Sequence, residues 1–330
     1  MADILQLLVA GLATGGIYAL VAIGFTLLWQ TSQTINFAQG EFVMLPAFFV
    51  LIAMSHLGLP FWPAVAVGGV ASVVVLGLLF KKWMVDPMIR HGVLPLVIAT
   101  IGLAILMKEM VREFYGADAW PFPAFAATTD VSVLGAVFSI QSLVILAICL
   151  VVVAALQLFL NGTRTGRCMQ ATAQNPNVAR LLGIRVERMI LYTFLINGAL
   201  VWVASLLITP IYLAKFTNGE WLGLYAFIAA IIGGFNQVRG AIVGGLLLGV
   251  VDNFAAAYIS SQYRMAIPLM ILIVVILFRP QGLLGRVEER TVCRTGASPP
   301  ASCSRPPACS CSWRRSGSSP TASSSSPCGR

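Results

Sequence analysis

Polar side chains within long apolar runs are the residues of this sequence best suited to chemistry. Burying such groups in a membrane costs free energy, so they usually line a route for a solute or an ion. Each has a structural alternative, because an acid favours a helix N-terminus and an amide can bond a neighbouring helix. The candidates for such a route are Asn36, Gln39, Gly40, Glu41, Asn197, Asp252 and Asn253.

Signatures of enzymes and of nucleotide-binding proteins are absent from the sequence. It contains no GxxxxGK phosphate loop, no GxSxG and no HExxH motif. Its two histidines, His56 and His91, fall at separate predicted helix ends and offer no metal pair. We therefore expect no catalytic residue, no metal site and no cofactor bound by this chain. No apolar run carries the several ionisable groups of a proton- or sodium-coupled carrier, so the driving force is expected from elsewhere.

Composition places these residues in a membrane protein. Apolar residues make up 58% of the chain and charged residues 10%, with a mean hydropathy of +0.88. Soluble domains carry about a quarter charged residues. The apolar runs predict an all-α, polytopic integral membrane protein with about eight or nine transmembrane helices. They cover residues 4–29, 42–55, 61–80, 93–107, 134–160, 189–213, 222–235, 240–258 and 265–278.

The basic loops orient these runs. Positive charge accumulates in loops on the inner side of a membrane, which accounts for the basic residues without nucleic-acid binding. Residues 81–90 and 161–188 form two such loops, whereas 108–133 is of mixed charge and is predicted to be an external loop. This arrangement places the N-terminus outside and Arg279 inside.

The loop at residues 161–188 is the only long polar interruption of the apolar body, and it is predicted to be folded. Asn175 is a suitable N-cap, Pro176 a suitable first helical residue, and Gly183 a suitable helix terminator. Val178, Leu181 and Leu182 fall on one face of that helix, among arginines. Such a helix is suited to docking, although an ordinary basic loop would have a similar composition.

Glycines interrupt the last third of the body. The run at 222–235 is about fourteen residues long and reaches roughly 21 Å, short of a hydrocarbon core of about 30 Å. A polar turn separates it from the run at 240–258, which predicts a discontinuous membrane segment. The glycines assigned to this break and to helix packing are Gly233, Gly234, Gly240, Gly244, Gly245 and Gly249.

Two short segments resemble one another across an offset of 179 residues. Residues 40–48 are GEFVMLPAF and residues 219–227 are GEWLGLYAF, with five of nine positions identical. The predicted topology sends the two segments through the membrane in opposite directions, as an inverted repeat requires. Chance similarity between apolar segments is the alternative.

The chain divides into a transmembrane domain, residues 1–292, and a tail, residues 293–330. The tail contains 12 Ser, 6 Pro, 5 Cys and 5 Arg, and supplies much of the net charge of +9. Such a composition cannot build a hydrophobic core. We interpret the tail either as a frame-shifted read-through or as a disordered segment.

Four stretches resemble the LivH-type permease of the branched-chain amino-acid ABC importers. They are GLATGGIYALVAIGFTLLWQTSQTINFAQGEF, TGRCMQATAQNPNVARLLGI, YAFIAAIIGGF and FRPQGLLG, and the match covers essentially all of residues 1–286. The resemblance implies a permease subunit of the bacterial inner membrane. It would pair with a second, LivM-type permease, two cytoplasmic ABC ATPases that bind ATP and Mg²⁺, and a periplasmic amino-acid-binding protein.

The resemblance also implies that residues 161–188 are the loop that couples the permease to an ATPase. The residues assigned to this role are Arg164, Gly166, Arg167, Asn175, Pro176, Ala179, Leu182 and Gly183. The EAA residues of other importers are absent, which leaves the contact residues open. Two other functions remain open at this point: an ABC permease for urea, short amides or other amino acids, and a self-sufficient channel or facilitator.

Overall fold

The computed structural model describes residues 2–33, 35–88, 92–123, 130–133, 136–259 and 264–285. These residues belong to one compact unit. The predicted tail at 293–330 lies outside the described residues, as do Arg90 and His91.

Helices form almost all of the described part of the chain. They are α1 (Ala2–Ser32), α2 (Gln39–Ser55), α3 (Phe61–Met88), α4 (Val93–Tyr115), α5 (Ile140–Gly162), α6 (Arg164–Gln174), α7 (Pro176–Leu181), α8 (Val186–Tyr212), α9 (Asn218–Gly233), α10 (Val238–Tyr258) and α11 (Ala266–Phe278). A two-stranded antiparallel hairpin, β1 (Asp130–Val133) and β2 (Ala136–Ser139), precedes α5.

The helices confirm a polytopic membrane protein. Among the described residues, α1, α3, α4, α5, α8 and α10 are long and apolar enough to cross a membrane, and α2 and α11 are shorter apolar helices. The 16-residue helix α9 corresponds to the predicted short run at 222–235 and begins earlier, at Asn218.

The predicted loop at residues 81–90 is wrong as far as Met88, because α3 continues through it and Lys81 pairs with Asp86 within the helix. Two predicted boundaries near residue 120 are also wrong. Residues 108–115 were expected in an external loop, but α4 continues to Tyr115 because its charged side chains pair along and across helices, as in the Arg112–Glu109 pair. The run expected from residue 134 begins only at Ile140, since the hairpin occupies the preceding residues. Ser139 caps α5 by accepting a hydrogen bond from the backbone N–H of Ser142 at 3.3 Å.

Helix α1 lies in the core of the fold and packs against α10 through glycines. A Cβ atom on Gly11 would lie 2.8 Å from Cα of Val250, and one on Gly15 would lie 2.9 Å from the carbonyl oxygen of Gly245. The backbones therefore touch directly, as small residues allow between membrane helices.

The predicted glycine break is a tight reversal between α9 and α10. Gly234 adopts φ +104°, and a Cβ on Gly244 would lie 3.1 Å from Cα of Gly233, so the helices pack side by side near the turn. The segment after α11 then closes the end of α9, because the N–H of Leu283 donates to the carbonyl of Ile232 at 2.8 Å. This bond satisfies a carbonyl that the helix end leaves unpaired.

Candidate functional site

The N-terminal ends of α2 and α9 meet in backbone contact. A Cβ on Gly223 would lie 2.6 Å from Cα of Gly40, and one on Gly219 would lie 2.8 Å from Cα of Glu41. Gly40 and Gly219 are the equivalent first residues of the two similar segments, and the helices that contain them also begin 179 residues apart. The two segments therefore cross each other where their glycines leave room.

This crossing lies beside the middle of α4. The N–H of Phe37 lies 3.4 Å from Oγ1 of Thr100, its hydrogen-bond acceptor. Nζ of Lys108 lies 2.5 Å from Oε2 of Glu220. Thr100 and Lys108 flank the centre of a 23-residue helix that is long enough to span a bilayer. Two helix N-termini, with the positive ends of their dipoles, thus point towards the middle of the chain's membrane-embedded region.

A cavity of about 490 Å³ lies at the crossing, bounded by α1, α2, α4 and α9. Its walls are mainly apolar, and three charged side chains contribute to the lining. The apolar side chains include Phe25, Phe37, Ile101, Ile105, Leu224 and Phe227, and the charged ones are Glu41, Lys108 and Glu220. Its volume falls within the range of about 300–1,000 Å³ common among small-molecule sites.

Glu41 is the unusual group of this cavity. Its side chain is 6% exposed, and Oε2 is buried with no hydrogen-bond partner among the described residues. Glu41 interacts electrostatically with Lys108 and Glu220, but the lysine makes its ion pair with Glu220. The carboxyl groups of Glu41 and Glu220 therefore both lie near the single ammonium group of Lys108. A buried carboxyl oxygen without a donor is costly, and a ligand that supplies one would be stabilised there.

Gln39 and Asn197, two of the residues predicted to line a route, pair with each other. Both are fully buried, and each amide donates one hydrogen bond to the other, at 2.7 Å and 3.0 Å. A further bond ties the same two helices, because the N–H of Ala47 donates to Oγ of Ser205 at 3.1 Å. These contacts hold α2 against α8 and thereby fix the position of Gly40 and Glu41.

Asp252 belongs to a second buried cluster, away from the α2–α9 crossing. Its carboxylate is fully buried and accepts hydrogen bonds from Nη2 of Arg264 at 2.6 Å and from Nε at 2.9 Å. The hydroxyl of Tyr18 donates to the same carboxylate at 3.2 Å, and Arg264 also donates to the hydroxyl of Tyr212. This cluster joins α1, α8 and α10 to the segment before α11.

The other two predicted polar residues make hydrogen bonds that order a turn and join two helices. Oδ1 of Asn36 accepts a hydrogen bond from the N–H of Ala38 at 3.0 Å, which orders the turn before α2. Nδ2 of Asn253 donates to Oγ1 of Thr14 at 2.7 Å and so links α10 to α1. Of the seven predicted residues, Gly40 and Glu41 line the cavity.

Sequence reasoning did not identify Lys108, Glu220 and Arg264. Lys108 follows the predicted fourth run directly, where it was assigned to a loop. Glu220 is the counterpart of Glu41 in the second similar segment, and this equivalence was the available signal. Arg264 lies just before the last apolar run, and only the fold reveals that its partner is Asp252.

The basic segment at 161–188 folds into two helices. Asn175 caps α7, since its Oδ1 accepts hydrogen bonds from the N–H groups of Asn177 and Val178 at 3.0 and 3.2 Å. Gly183, with φ +80°, ends the helix, and its N–H donates to the carbonyl of Arg180. The predicted cap, first residue Pro176 and terminator are all confirmed.

One face of α7 is apolar and exposed. Leu181 is 87% exposed and Leu182 73%, while Ala179 is buried beneath them. The arginines of the same segment are also exposed: Arg164, Arg167, Arg180, Arg185 and Arg188. An exposed apolar patch bordered by charge is typical of a surface that binds a protein.

The basic segment is anchored to the membrane helices. Gly166 of α6 packs on α5, and a Cβ at this position would lie 2.6 Å from Cα of Leu160. Met169, also on α6, is buried. A force applied to α6 and α7 therefore reaches the ends of α5 and α8.

Comparison with known proteins shows a single family over most of the chain. The model for the branched-chain amino acid transport system permease component matches residues 7–276. The chain is 33% identical over 300 residues to the high-affinity branched-chain amino acid transport system permease protein BraD of Pseudomonas aeruginosa, covering 87% of this chain and 98% of the relative.

Two further relatives extend the comparison. The chain is 31% identical over 301 residues to the high-affinity branched-chain amino acid transport system permease protein LivH of Escherichia coli K12, covering 87% and 97% of the two chains. It is 26% identical over 282 residues to the probable LivH protein of Methanocaldococcus jannaschii, covering 81% and 88%. No solved structure matches. The region matched by the family model includes the whole cavity and the basic segment.

Proposed function

Because the chain belongs to the family of branched-chain amino acid transport permease components, we propose that it moves leucine, isoleucine or valine across the bacterial inner membrane as a subunit of an ATP-driven importer. It forms the translocation path with a second, LivM-type permease and hydrolyses no ATP itself. Two cytoplasmic ABC ATPases supply the energy, and a periplasmic binding protein delivers the amino acid. The N-terminus is periplasmic and the end of the permease domain is cytoplasmic.

The observation that carries the ATP-driven assignment is the exposed apolar face of α7. Leu181 and Leu182 lie on a capped helix among arginines, on a segment that the positive-inside pattern places in the cytoplasm. Exposed apolar side chains at such a position are stabilised when a partner covers them. The ATPase is the partner that the family architecture requires at this face.

The same segment transmits movement to the membrane helices. Closure of the ATPases displaces α6 and α7, and the displacement reaches α5 through the contact between Gly166 and Leu160. It reaches α8 through the four-residue connection from Leu182 to Arg185. Because α8 is bonded to α2 by Gln39 and Asn197, tilting α8 moves one wall of the cavity.

The docking role is tested by removing the apolar face of α7. The variant Leu181→Ala/Leu182→Ala is expected to insert into the membrane normally, and its complex should lose both leucine uptake and the stimulation of ATP hydrolysis by loaded binding protein. Leu57→Ala is the matched control, because Leu57 is 63% exposed and lies in the turn after α2, on the opposite side of the membrane by the proposed topology. Normal uptake and ATP hydrolysis by the double variant would refute the assignment.

A further inference from the structure

The cavity at the α2–α9 crossing contains a charge arrangement that helix packing does not account for. Glu41 is only 6% exposed, and its Oε2 has no hydrogen-bond donor among the described residues. Lys108 donates to Glu220, although an ammonium group has three N–H donors and two of them remain for other acceptors. The cavity thus offers an acceptor that lacks a donor and a cation that can take a further anion.

We propose that this cavity is an intramembrane binding site for an aliphatic α-amino acid, with the α-ammonium group on Glu41, the α-carboxylate on Lys108, and the side chain against the apolar walls. This inference rests on the proposed function and adds the site of recognition. A zwitterion fits because it supplies both missing partners at once. It adds no net charge to a site that is surrounded by apolar side chains.

The helix ends support the same orientation. The first turns of α2 and α9 both lie at the cavity, with Gly40 and Gly219 among its lining residues. The positive end of a helix dipole favours a carboxylate, as does the ammonium group of Lys108. The ligand carboxylate therefore lies on the side of Lys108, and the ligand ammonium group lies at the carboxyl group of Glu41.

The walls match an aliphatic side chain. Ile101, Ile105, Leu224 and Phe227 line the cavity and carry no polar side-chain group that a buried hydroxyl or amide could bond. Burying an aliphatic side chain against such walls is worth about 25 cal/mol per Å² of apolar surface removed from water. A polar amino acid would lose its hydrogen bonds to water without replacement, which gives the site a preference that does not depend on the binding protein.

A second cavity of the chain does not have the features of an amino-acid site. It has a volume of about 820 Å³ and lies between α2, α3 and α4. Its lining is almost entirely apolar. His56, Trp83 and Tyr115 carry its polar side-chain atoms, and no carboxylate or ammonium group lines it to pair with a zwitterion.

The test uses the complete importer, with both permeases, both ATPases and the binding protein, in nanodiscs. The probe is a leucine analogue with a diazirine in its side chain, crosslinked by light and mapped by mass spectrometry. We expect labels on residues 101–108 and 219–227 that excess leucine suppresses. In Glu41→Gln and in Lys108→Met, labelling should fall about ten-fold or more. Glu41→Gln removes the negative charge that pairs with the ligand ammonium group, and Lys108→Met removes the charged donor to the ligand carboxylate. Glu109→Gln is the control, since Glu109 pairs with Arg112 outside the cavity.

The outcomes separate this inference from the proposed function. If the wild-type complex takes up leucine but its leucine-suppressed labels lie elsewhere or are absent, the site is wrong and the function stands. The site is equally wrong if assembled Glu41→Gln and Lys108→Met complexes label like wild type. If the wild-type complex takes up no leucine with ATP, both the proposed function and the proposed site are wrong.

Discussion

The side-chain amides of Gln39 and Asn197 form two reciprocal hydrogen bonds within the membrane-embedded part of the fold. Each donates to the other, and neither is exposed to solvent. The pair joins the start of α2 to the middle of α8, and Gln39 directly precedes Gly40 and Glu41, which line the cavity. Gly24 of α1 packs directly on both amides, so three helices converge at this point.

Replacing one partner of this pair should destabilise the fold. In Asn197→Leu the amide of Gln39 stays buried without its partner, which costs about 1–3 kcal/mol. The variant Gln39→Leu/Asn197→Leu should regain part of this loss, because no unpaired amide remains. Thermal unfolding of the purified protein in detergent measures both, with Gln174→Leu at an exposed position as the control. Single variants as stable as wild type would contradict the pairing.

The α2–α9 crossing should not tolerate a methyl group. Gly223→Ala places a Cβ 2.6 Å from Cα of Gly40, closer than Cβ atoms approach in proteins, and overpacking of this kind costs about 1–3 kcal/mol. Gly102→Ala is the control, because nothing lies within 4 Å of a Cβ there and alanine favours a helix over glycine. We expect a lower melting temperature for the first variant and an equal or higher one for the second. The reverse order would show that the backbones do not touch.

The buried pair of Asp252 and Arg264 should matter more to stability than an exposed ion pair. Arg264→Leu leaves a fully buried carboxylate without its main partner, which costs about 3–5 kcal/mol. Asp86→Asn breaks the pair of Lys81 with a half-exposed Asp86, for which the loss is about 0–1 kcal/mol. Unfolding in detergent should separate the two variants clearly. Similar losses would mean that Asp252 reaches water.

The backbone at Gly183 should control coupling. Its φ of +80° lies in the region that glycine favours, and nothing within 4 Å would meet a Cβ, so Gly183→Ala acts through backbone strain alone. We expect a frayed end of α7, normal membrane insertion and a lower ratio of leucine uptake to ATP hydrolysed. Gly102→Ala, which also has open space around a Cβ but lies within helix α4, outside the basic segment, serves as the control. Unchanged coupling in Gly183→Ala would remove α7 from the docking surface.

Local signals in the sequence were sufficient for the membrane helices and for α7. The length of each apolar run identifies a membrane helix. The cap at Asn175 and the terminator at Gly183 determine the ends of α7 through contacts within a few residues in the sequence. The only sequence signal for the crossing of α2 and α9 was the similarity of the two segments. A contact between Gly40 and Gly223 produces no pattern in the sequence around either residue. The hairpin before α5 was missed for a different reason, since its apolar residues merge with the run that follows.

Charged partners distant in sequence could not be assigned from the sequence. Lys108 and Glu220 are 112 residues apart, and the boundary placed after residue 107 assigned the lysine to a loop. Gln39 and Asn197 were each recognised as buried polar residues, but a single sequence does not show that two such residues satisfy one another. These long-range pairs join α4 to α9 and α2 to α8 around the cavity.

The central claim is that this chain conducts a branched-chain amino acid only when ATPases drive it. The direct measurement is uptake of radiolabelled leucine by liposomes that contain the purified chain alone, compared with liposomes that contain it with the second permease, two ATPases, binding protein and ATP. We predict no uptake above background by the chain alone and ATP-dependent accumulation by the complete set. Leucine flux through the chain alone, or no accumulation by the complete set, would contradict the account.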